Sequence, residues 1–192
     1  MGGHEIAGAQ GAGLRRAVFL DRDGVLNRAF VRDGKPYPPA RLEEFELLPG
    51  VVEGCRLLKD AGFLLMVATN QPDVGRGTQT RETVDAMHRK LLGMLPLDGV
   101  KVCCDASDEP SEFLKPAPGM LLSAARELGI DLAQSFMVGD RWRDVDCGRA
   151  AGCTTIFIDH GYRESLRDQP HFTVGNLLQA AKLIVATMTP KA

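Results

Sequence analysis

Two aspartates stand two residues apart at the point where an apolar run ends. Residues 17–20 are all apolar, Asp21 follows them directly, and Asp23 and Gly24 come next. Side chains two apart on an extended segment point to the same side, so a strand ending here delivers two carboxylates to one place. One can act as a nucleophile and the other as a general acid and base. A turn that closes the strand onto solvent is the alternative, since acidic residues before glycine are frequent in turns.

Further polar residues along the chain suit phosphoryl transfer. In sequence order they are Thr69-Asn70-Gln71, Lys115, Asp140 and Asp144. A carboxylate nucleophile and a phosphate charge about 4 Å apart repel by roughly 4 kcal/mol at an effective dielectric near 20, so a cation must compensate. Asp21 and Asp140 can hold Mg²⁺, which prefers carboxylate and water oxygens, while Lys115 adds a fixed positive charge. The Thr69 hydroxyl and backbone or Asn70 amide N–H groups can bind phosphate oxygens.

The elements that must position these groups alternate between strand and helix. Continuous apolar runs predict strands at 17–21, 63–69, 99–104, 135–139 and 154–158. Apolar residues at helical spacing predict helices at 51–59, 80–95, 118–128, 145–151 and 174–188. This alternation predicts an α/β fold with a doubly wound, Rossmann-like parallel sheet, which brings the polar groups to one edge. Residues 1–13 are predicted to be a flexible tail, and residues 14–192 a single domain.

A proline-rich connection leaves from beside the two aspartates. Residues 28–48 contain the run Pro36-Tyr37-Pro38-Pro39, which predicts little regular structure. A connection this long is often functional, so it either folds over a ligand or packs on its own prolines. His88 lies beside the apolar face of a predicted helix, and we expect a partly buried core residue there rather than a ligand. Trp142 stands between two arginines, and we expect it to pack in its loop rather than wall a substrate site.

The composition excludes some classes of partner. The chain has 192 residues, a hydrophobic fraction of 44% and a net charge of −2. Without a basic run, nucleic acid is not expected as a partner. No apolar segment is long enough to span a membrane and no secretory signal is visible, so we expect a cytoplasmic protein. The five scattered cysteines are expected to be reduced thiols. The oligomeric state is left open.

The chain resembles the haloacid dehalogenase superfamily in four motifs that occur in that family's order. They are Asp21-x-Asp23-Gly24, Thr69, Lys115 and Gly139-Asp140-x-x-x-Asp144. The resemblance implies that Asp21 is the nucleophile and forms an aspartyl-phosphate, with Asp23 as acid and then base. It also implies that Asp21, Asp140 and the Asp23 backbone carbonyl bind Mg²⁺, with Asp144 supporting the metal shell. Thr69 and Lys115 would bind the phosphoryl group.

Within this superfamily the chain looks like the D-glycero-D-manno-heptose 1,7-bisphosphate phosphatases, whose near relatives are histidinol-phosphate phosphatases. The resemblance rests on the segments 19–27, 69–77 and 115–120. It implies a small phosphorylated sugar as the substrate, with four residues on the substrate side: Asn27, Gln71, Arg76 and Arg141.

Three departures from the family pattern affect these expectations. The family usually carries a zinc loop of cysteines and histidine before the lysine, whereas residues 102–114 offer only Cys103 and Cys104. Two adjacent cysteines do not make a four-ligand site, so we expect no structural zinc. Leu114 stands where an arginine is frequent, and Arg141 stands where lysine is usual. These departures leave the residues for phosphate-ester hydrolysis in place, but they affect which phosphate ester is the substrate.

The spacing of the motifs limits the architecture around the site. Neither the gap from Asp21 to Thr69 nor that from Thr69 to Lys115 has room for a separate cap domain beside its predicted helix and strand. We therefore expect an open site, screened only by the proline-rich loop and residues 72–78. The favoured function is a Mg²⁺-dependent sugar-phosphate phosphatase. A phosphatase for histidinol phosphate or another small ester is the alternative enzyme, and a non-catalytic module that binds a phosphorylated ligand is the alternative of a different class.

Overall fold

A six-stranded, fully parallel sheet forms the centre of the molecule. The computed structural model describes residues 14–106 and 111–188, so the predicted tail at 1–13 lies outside the described residues. In spatial order the strands are β5 (Gly99–Cys103), β4 (Leu64–Asn70), β1 (Ala17–Leu20), β6 (Phe136–Gly139), β7 (Thr154–Ile158) and β8 (Phe172–Val174). The predicted doubly wound α/β fold is confirmed.

Helices cover both faces of this sheet. They are α1 (Val51–Asp60), α2 (Pro72–Gly75), α3 (Arg81–Met94), α4 (Gly119–Leu128), α5 (Trp142–Ala150) and α6 (Leu177–Met188). Strand β1 shows why two layers are needed, because its side chains alternate between the faces. Val18 and Leu20 belong to the core cluster that includes residues of α1, α3 and α6. Ala17 and Phe19 belong to the opposite cluster, with residues of α4 and α5.

The proline-rich connection is more ordered than the sequence predicts. Within residues 28–48 the structure forms an antiparallel hairpin from β2 (Phe30–Arg32) and β3 (Lys35–Tyr37). Both turn residues have positive φ, 52° at Asp33 and 75° at Gly34. This is the backbone that a two-residue hairpin turn requires, and Asp-Gly is a strong signal for it. Pro36 is tolerated because a two-stranded ribbon leaves one side of each strand unpaired. The prediction of little regular structure is therefore wrong for residues 30–37.

Two other boundaries differ from the prediction. Helix α5 begins at Trp142 rather than at residue 145, because the Asp144 carboxylate accepts a hydrogen bond of 3.0 Å from the Arg141 backbone N–H and closes the first turn. The segment 172–174 is strand β8 rather than the start of the last helix, and α6 begins at Leu177. No separate cap domain interrupts the described chain. Among the helices of residues 14–106 and 111–188, none has the length and apolar character to cross a bilayer.

Candidate active site

The predicted polar residues meet because three central strands end side by side. Strand β1 lies between β4 and β6, all parallel, so their carboxyl ends reach the same edge of the sheet. A cavity of about 380 Å³ opens there. Its lining comprises Asp21, Asp23, Asn70, Lys115 and Asp144 together with Lys35, Pro36, Tyr37, Pro38, Pro72, Asp73, Arg76, Arg141 and Arg143. The cavity therefore lies where open α/β sheets bind ligands.

Lys115 holds the floor of the cavity together. Its side chain is only 3% exposed, and its ammonium contacts Asp21 Oδ1 at 2.8 Å and Asp144 Oδ1 at 2.6 Å. It also donates to the Ala68 carbonyl at 2.7 Å, so all three donors of the ammonium are used. Burial acts to lower the pKa of Lys115, but the carboxylates of Asp144 and Asp21 outweigh it and raise the pKa. The lysine is therefore a permanent positive charge beside Asp21.

The acidic cluster fits a divalent cation. Among the described residues, one group of three or more candidate metal ligands comes together, namely Asp21, Asp140 and Asp144, with ligand atoms within 4.8 Å of one another. Both oxygens of Asp140 are buried and accept no hydrogen bond of normal geometry. Burial raises the pKa of Asp140, and the charges of Asp21 and Asp144 raise it further. Three carboxylates against one lysine leave an excess of negative charge that Mg²⁺ can neutralise.

The three acids are not equivalent as ligands. Asp144 Oδ1 is bound by Lys115, and Asp144 Oδ2 accepts the Arg141 backbone N–H. Asp140 has no comparable partner, so its oxygens are the ones that need a cation. Burial also raises the pKa of Asp21, an effect that Lys115 opposes. The arrangement fits Asp21 and Asp140 as ligands and Asp144 as a support that orients its neighbours.

Asp23 is held by three side chains that donate to its carboxylate. The Arg22 guanidinium donates to Asp23 Oδ1 and Oδ2 at 2.9–3.2 Å, although Arg22 is fully buried. Asn27 Nδ2 donates at 2.9 Å and Gln71 Nε2 at 2.8 Å. Behind them, His88 Nε2 lies 3.2 Å from the Arg22 guanidinium. Burial lowers the pKa of His88 to about 4, and the charge of Arg22 lowers it too, so a neutral imidazole accepts from the arginine.

Two residues that were predicted for the substrate side lie elsewhere in the structure. Asn27 and Gln71 are 0% and 3% exposed and lie behind Asp23, not on the cavity wall. Arg22 and His88 were not identified as site residues, although His88 is a buried residue, as predicted. The available signal was Arg22 itself, since an arginine between two acids at the end of an apolar run needs a buried partner.

The two predicted phosphate-binding residues of β4 have different surroundings. Thr69 is 1% exposed, and its hydroxyl accepts a hydrogen bond of 3.0 Å from Gln71 Nε2. The Asn70 side chain pairs with the backbone of Lys115, accepting from its N–H and donating to its carbonyl, each at 3.0 Å. The Asn70 side-chain amide is thus engaged in positioning Lys115. Of the donors predicted for phosphate oxygens, the Thr69 O–H, whose oxygen accepts from Gln71, and backbone N–H groups are compatible with this arrangement.

Gly24 permits a close approach between the turn after β1 and Asp140 after β6. Its φ is +87°, which disfavours any L side chain. A Cβ at this position would lie 1.8 Å from Asp140 Oδ2. The glycine in the Asp-x-Asp-Gly motif therefore has a second purpose besides the turn, because it lets the Asp140 carboxylate lie against the β1 loop.

The cavity walls are basic. Arg76, the residue after α2, and Arg141, the residue before α5, both line the cavity, and their predicted contact with substrate stays a prediction. Arg141 forms an ion pair with Glu164, whose charge raises the pKa of the arginine against the effect of burial. Trp142 does not line the cavity; its ring lies 3.5 Å from the Arg167 guanidinium carbon.

A segment after β7, residues 159–168, contacts the turn after β1, the hairpin 30–37 and Asp140 after β6, and it was not identified from the sequence. His160 Nε2 donates to the Gly24 carbonyl at 2.7 Å, and the Arg163 N–H donates to the Gly34 carbonyl at 2.8 Å. The Tyr162 hydroxyl lies beside Asp140, and burial and then that carboxylate raise the pKa of Tyr162. No residue pattern distinguishes this segment from an ordinary loop, so only the tertiary structure reveals its contacts.

The cysteines before Lys115 have separate environments. Cys103 is buried with its sulfur 3.8 Å from the Ser111 hydroxyl, whereas Cys104 faces Arg81 at 3.9 Å. Residues 107–110 of this loop lie outside the described residues. The expectation of no structural zinc stays a prediction.

Comparison with known proteins gives consistent matches. A family model described as HAD-hydrolase-like matches residues 113–180. The chain is 33% identical to the D-glycero-D-manno-heptose-1,7-bisphosphate 7-phosphatase of Thermosynechococcus vestitus, across 92% of this chain and 99% of that protein. It is 37% identical to the D-glycero-beta-D-manno-heptose-1,7-bisphosphate 7-phosphatase of Yersinia pestis, across 72% and 77% of the two chains.

A solved structure extends the similarity to the fold. The D,D-heptose 1,7-bisphosphate phosphatase from B. bronchiseptica, crystallised with magnesium and phosphate, superposes with a TM-score of 0.75. The two sequences are 28% identical, and the superposition covers 90% of this chain and 99% of the other.

Proposed function

Because the chain belongs to the D-glycero-D-manno-heptose-1,7-bisphosphate 7-phosphatase family of haloacid dehalogenase-like hydrolases, we propose that it removes the 7-phosphate from this heptose bisphosphate with Mg²⁺ as cofactor. The chain is a phosphomonoester hydrolase by family. The observation that carries the proposal is the meeting of Asp21, Asp23 and Lys115 on the lining of one cavity, with Asp140 in the acidic cluster beside Asp21. The sugar substrate is proposed from the relatives that bear its name.

Asp21 is the proposed nucleophile. One of its carboxylate oxygens attacks the phosphorus atom, and the bond from phosphorus to the ester oxygen breaks, which leaves an aspartyl-phosphate and a sugar alkoxide. Lys115 lies 2.8 Å from Asp21 Oδ1 and remains charged, so it offsets the repulsion between the carboxylate and the incoming phosphate. Thr69 and backbone N–H groups at the end of β4 bind the phosphate oxygens in this proposal.

Asp23 is the proposed general acid and base. It donates its proton to the leaving ester oxygen, then takes a proton from the water that attacks the aspartyl-phosphate. The phosphorus–Asp21 bond breaks in this second step and releases orthophosphate. The hydrogen bonds from Arg22, Asn27 and Gln71 hold the Asp23 carboxylate in one orientation, which suits a group that must reach the ester oxygen and later a water at the same place.

Mg²⁺ is proposed to be held by the carboxylates of Asp21 and Asp140 and by the backbone carbonyl of Asp23. When bound, it neutralises the acidic cluster and polarises a phosphate oxygen. The support for Asp140 is that both its oxygens are buried without a hydrogen-bond partner of normal geometry. Asp144 supports this site indirectly, since it holds Lys115 and the first turn of α5.

The walls of the cavity suit a small, highly polar substrate. The hairpin 30–37 and helix α2 form the walls in place of a cap domain, and cations from three elements line them: Lys35, Arg76, Arg141 and Arg143. We propose that Arg76 and Arg141 contact the substrate. A cytoplasmic location and the absence of nucleic-acid and membrane partners are part of the same proposal.

The test is phosphate release from a panel that includes the heptose 1,7-bisphosphate and histidinol phosphate, with Mg²⁺ or with a chelator. We expect turnover of the heptose ester that requires Mg²⁺ and that falls at least about 10³-fold in Asp21→Asn. Asp60→Asn, the same change at an exposed end of α1, is the matched control and should keep full activity. Faster turnover of histidinol phosphate would overturn the substrate, and activity in Asp21→Asn would overturn the mechanism.

A further inference from the structure

Besides Lys115 at the floor, four cations line the cavity, and two of these four form ion pairs with acids. Arg76 lies 3.3 Å from Asp73, and Arg141 pairs with Glu164. Lys35 and Arg143 have no carboxylate within ion-pair distance among residues 14–106 and 111–188, although both face the same cavity. Two uncompensated cations on one cavity wall favour an anionic group of the ligand.

Arg143 is positioned by ring stacking, and its guanidinium donates no hydrogen bond to any residue that the structure describes. It is half-buried, and its guanidinium carbon lies 5.2 Å from the centroid of the Trp142 ring, which Arg167 also contacts at 3.5 Å. Stacking on an aromatic ring orients a guanidinium while its N–H groups remain available for a planar or bidentate acceptor. Because the side chain is already ordered in the free protein, ligand binding costs less conformational entropy.

Lys35 lies on the hairpin 30–37, whose tip is fixed by a hydrogen bond. It follows the Asp33-Gly34 turn of the hairpin, and the Gly34 carbonyl accepts a hydrogen bond of 2.8 Å from the Arg163 N–H. The tip of the hairpin is thus tied to segment 159–168, which also carries the glutamate that pairs with Arg141. This anchoring holds the exposed Lys35 side chain on the cavity wall.

The reacting phosphate does not account for these cations. Its proposed position is beside Lys115 and the acidic cluster on the floor, whereas Lys35 and Arg143 belong to the walls. Burial lowers the pKa of Arg143 and the charges of Arg141 and Arg167 lower it too; the carboxylates of Glu164 and Asp144 offset only part of this, so a bound anion would stabilise the charged guanidinium. Leu114, next to Lys115, adds no charge that would serve a second anion.

We propose that Lys35 and Arg143 form a subsite for the second, non-reacting phosphate of a bisphosphate substrate. This inference rests on the proposed phosphatase function and deepens it, because it states how the enzyme selects a bisphosphate over a monophosphate. The subsite joins the hairpin to the first turn of α5, so both walls contact one substrate.

The experiment compares two substrates that differ only in the second phosphate, the heptose 1,7-bisphosphate and the heptose 7-phosphate. Arg143→Met keeps an apolar side chain against Trp142, and Lys35→Met removes the other charge. For each variant we expect the KM of the bisphosphate to rise about tenfold, with a smaller change in kcat, since a charge-assisted contact to phosphate is lost. The preference for the bisphosphate, as a ratio of kcat/KM values, should fall by a similar factor.

Arg149→Met is the matched control, because Arg149 lies on the same helix but does not line the cavity, and its preference should equal that of the wild type. Equal losses on both substrates, or no loss on either, would overturn the subsite while the wild-type turnover still supports the phosphatase. Turnover of neither ester by the wild type would instead overturn the proposed function, and the subsite with it.

Discussion

Replacing Asp140 with asparagine should stabilise the metal-free protein and remove its activity. The Asp140 oxygens are buried without a hydrogen bond of normal geometry, and the candidate ligand atoms of Asp21, Asp140 and Asp144 lie within 4.8 Å of one another. At that separation two unit charges repel by about 3 kcal/mol at an effective dielectric near 20. Lys115 offsets part of this repulsion, and the raised pKa of Asp140 lets a proton remove another part.

We expect the free energy of unfolding to increase by about 1–3 kcal/mol in Asp140→Asn, as for other substitutions that relieve strain at a functional site. For a domain of this size that corresponds to a rise in Tm of roughly 3–10 °C. Calorimetry in the presence of a chelator measures it directly. The exposed Asp60→Asn variant is the control and should melt within about 1 °C of the wild type.

The same variant should also lose the stabilisation by magnesium. Saturating Mg²⁺ at about 100 times its Kd adds roughly 2.7 kcal/mol to the stability of a protein that binds it only when folded. The wild type should show this rise in Tm and Asp140→Asn should not, because a neutral amide replaces a ligand. If Asp140→Asn melts below the wild type in chelator, the repulsion argument is refuted. If it keeps the Mg²⁺-dependent rise, Asp140 is not a ligand.

Two further predictions concern the supports of the site. The His88→Gln variant keeps an acceptor for Arg22 but does not titrate. Because the pKa of His88 is about 4 in the folded protein and 6.5 in the unfolded chain, protonation of the unfolded chain destabilises the wild type as the pH falls. Between pH 7 and pH 5 the free energy of unfolding, measured with urea, should fall by about 2 kcal/mol more in the wild type than in the variant. An identical pH dependence in both proteins would contradict this. In Gly24→Ala we expect kcat to fall more than about 10²-fold, because the new Cβ displaces Asp140. Gly62→Ala is the control: its φ is similar, at 85°, but no atom lies within 4 Å, so it should lose stability through backbone strain and keep its activity. Equal kcat values for the two variants would show that the contact with Asp140 does not matter.

Much of the site could be predicted because it depends on local order in the chain. A buried strand ends at Asp21, and parallel strands end at one edge, so the strand ends alone predict that Asp21, Thr69 and Asp140 meet. The placement of Lys115 could not follow from periodicity, because it lies in an irregular loop. Its motif and its order in the chain indicated it, and its three contacts appear only in the folded protein.

The supports of Asp23 show where prediction from sequence fails. Asn27 and Gln71 have residue types that suit a substrate wall as well as a support, and neither type reveals the direction of its side chain. The hairpin 30–37 illustrates the opposite case, because its Asp-Gly turn was a local signal that the neighbouring prolines obscured.

The sequence by itself determined the order of strands β1, β4, β5, β6 and β7 and of the longer helices, the acids at the strand ends and the family, because these depend on periodicity and on short motifs that are local in the chain. Only the tertiary structure decided which acid forms no ion pair among the described residues, which arginine holds Asp23, and which cations on the cavity wall have no acid beside them in that part of the chain. Each of those properties depends on which of several residues, distant in the chain, comes close enough to form a contact. Residues far apart in the chain, such as Lys35 and Arg143, acquire a shared environment only when the sheet and its loops have packed.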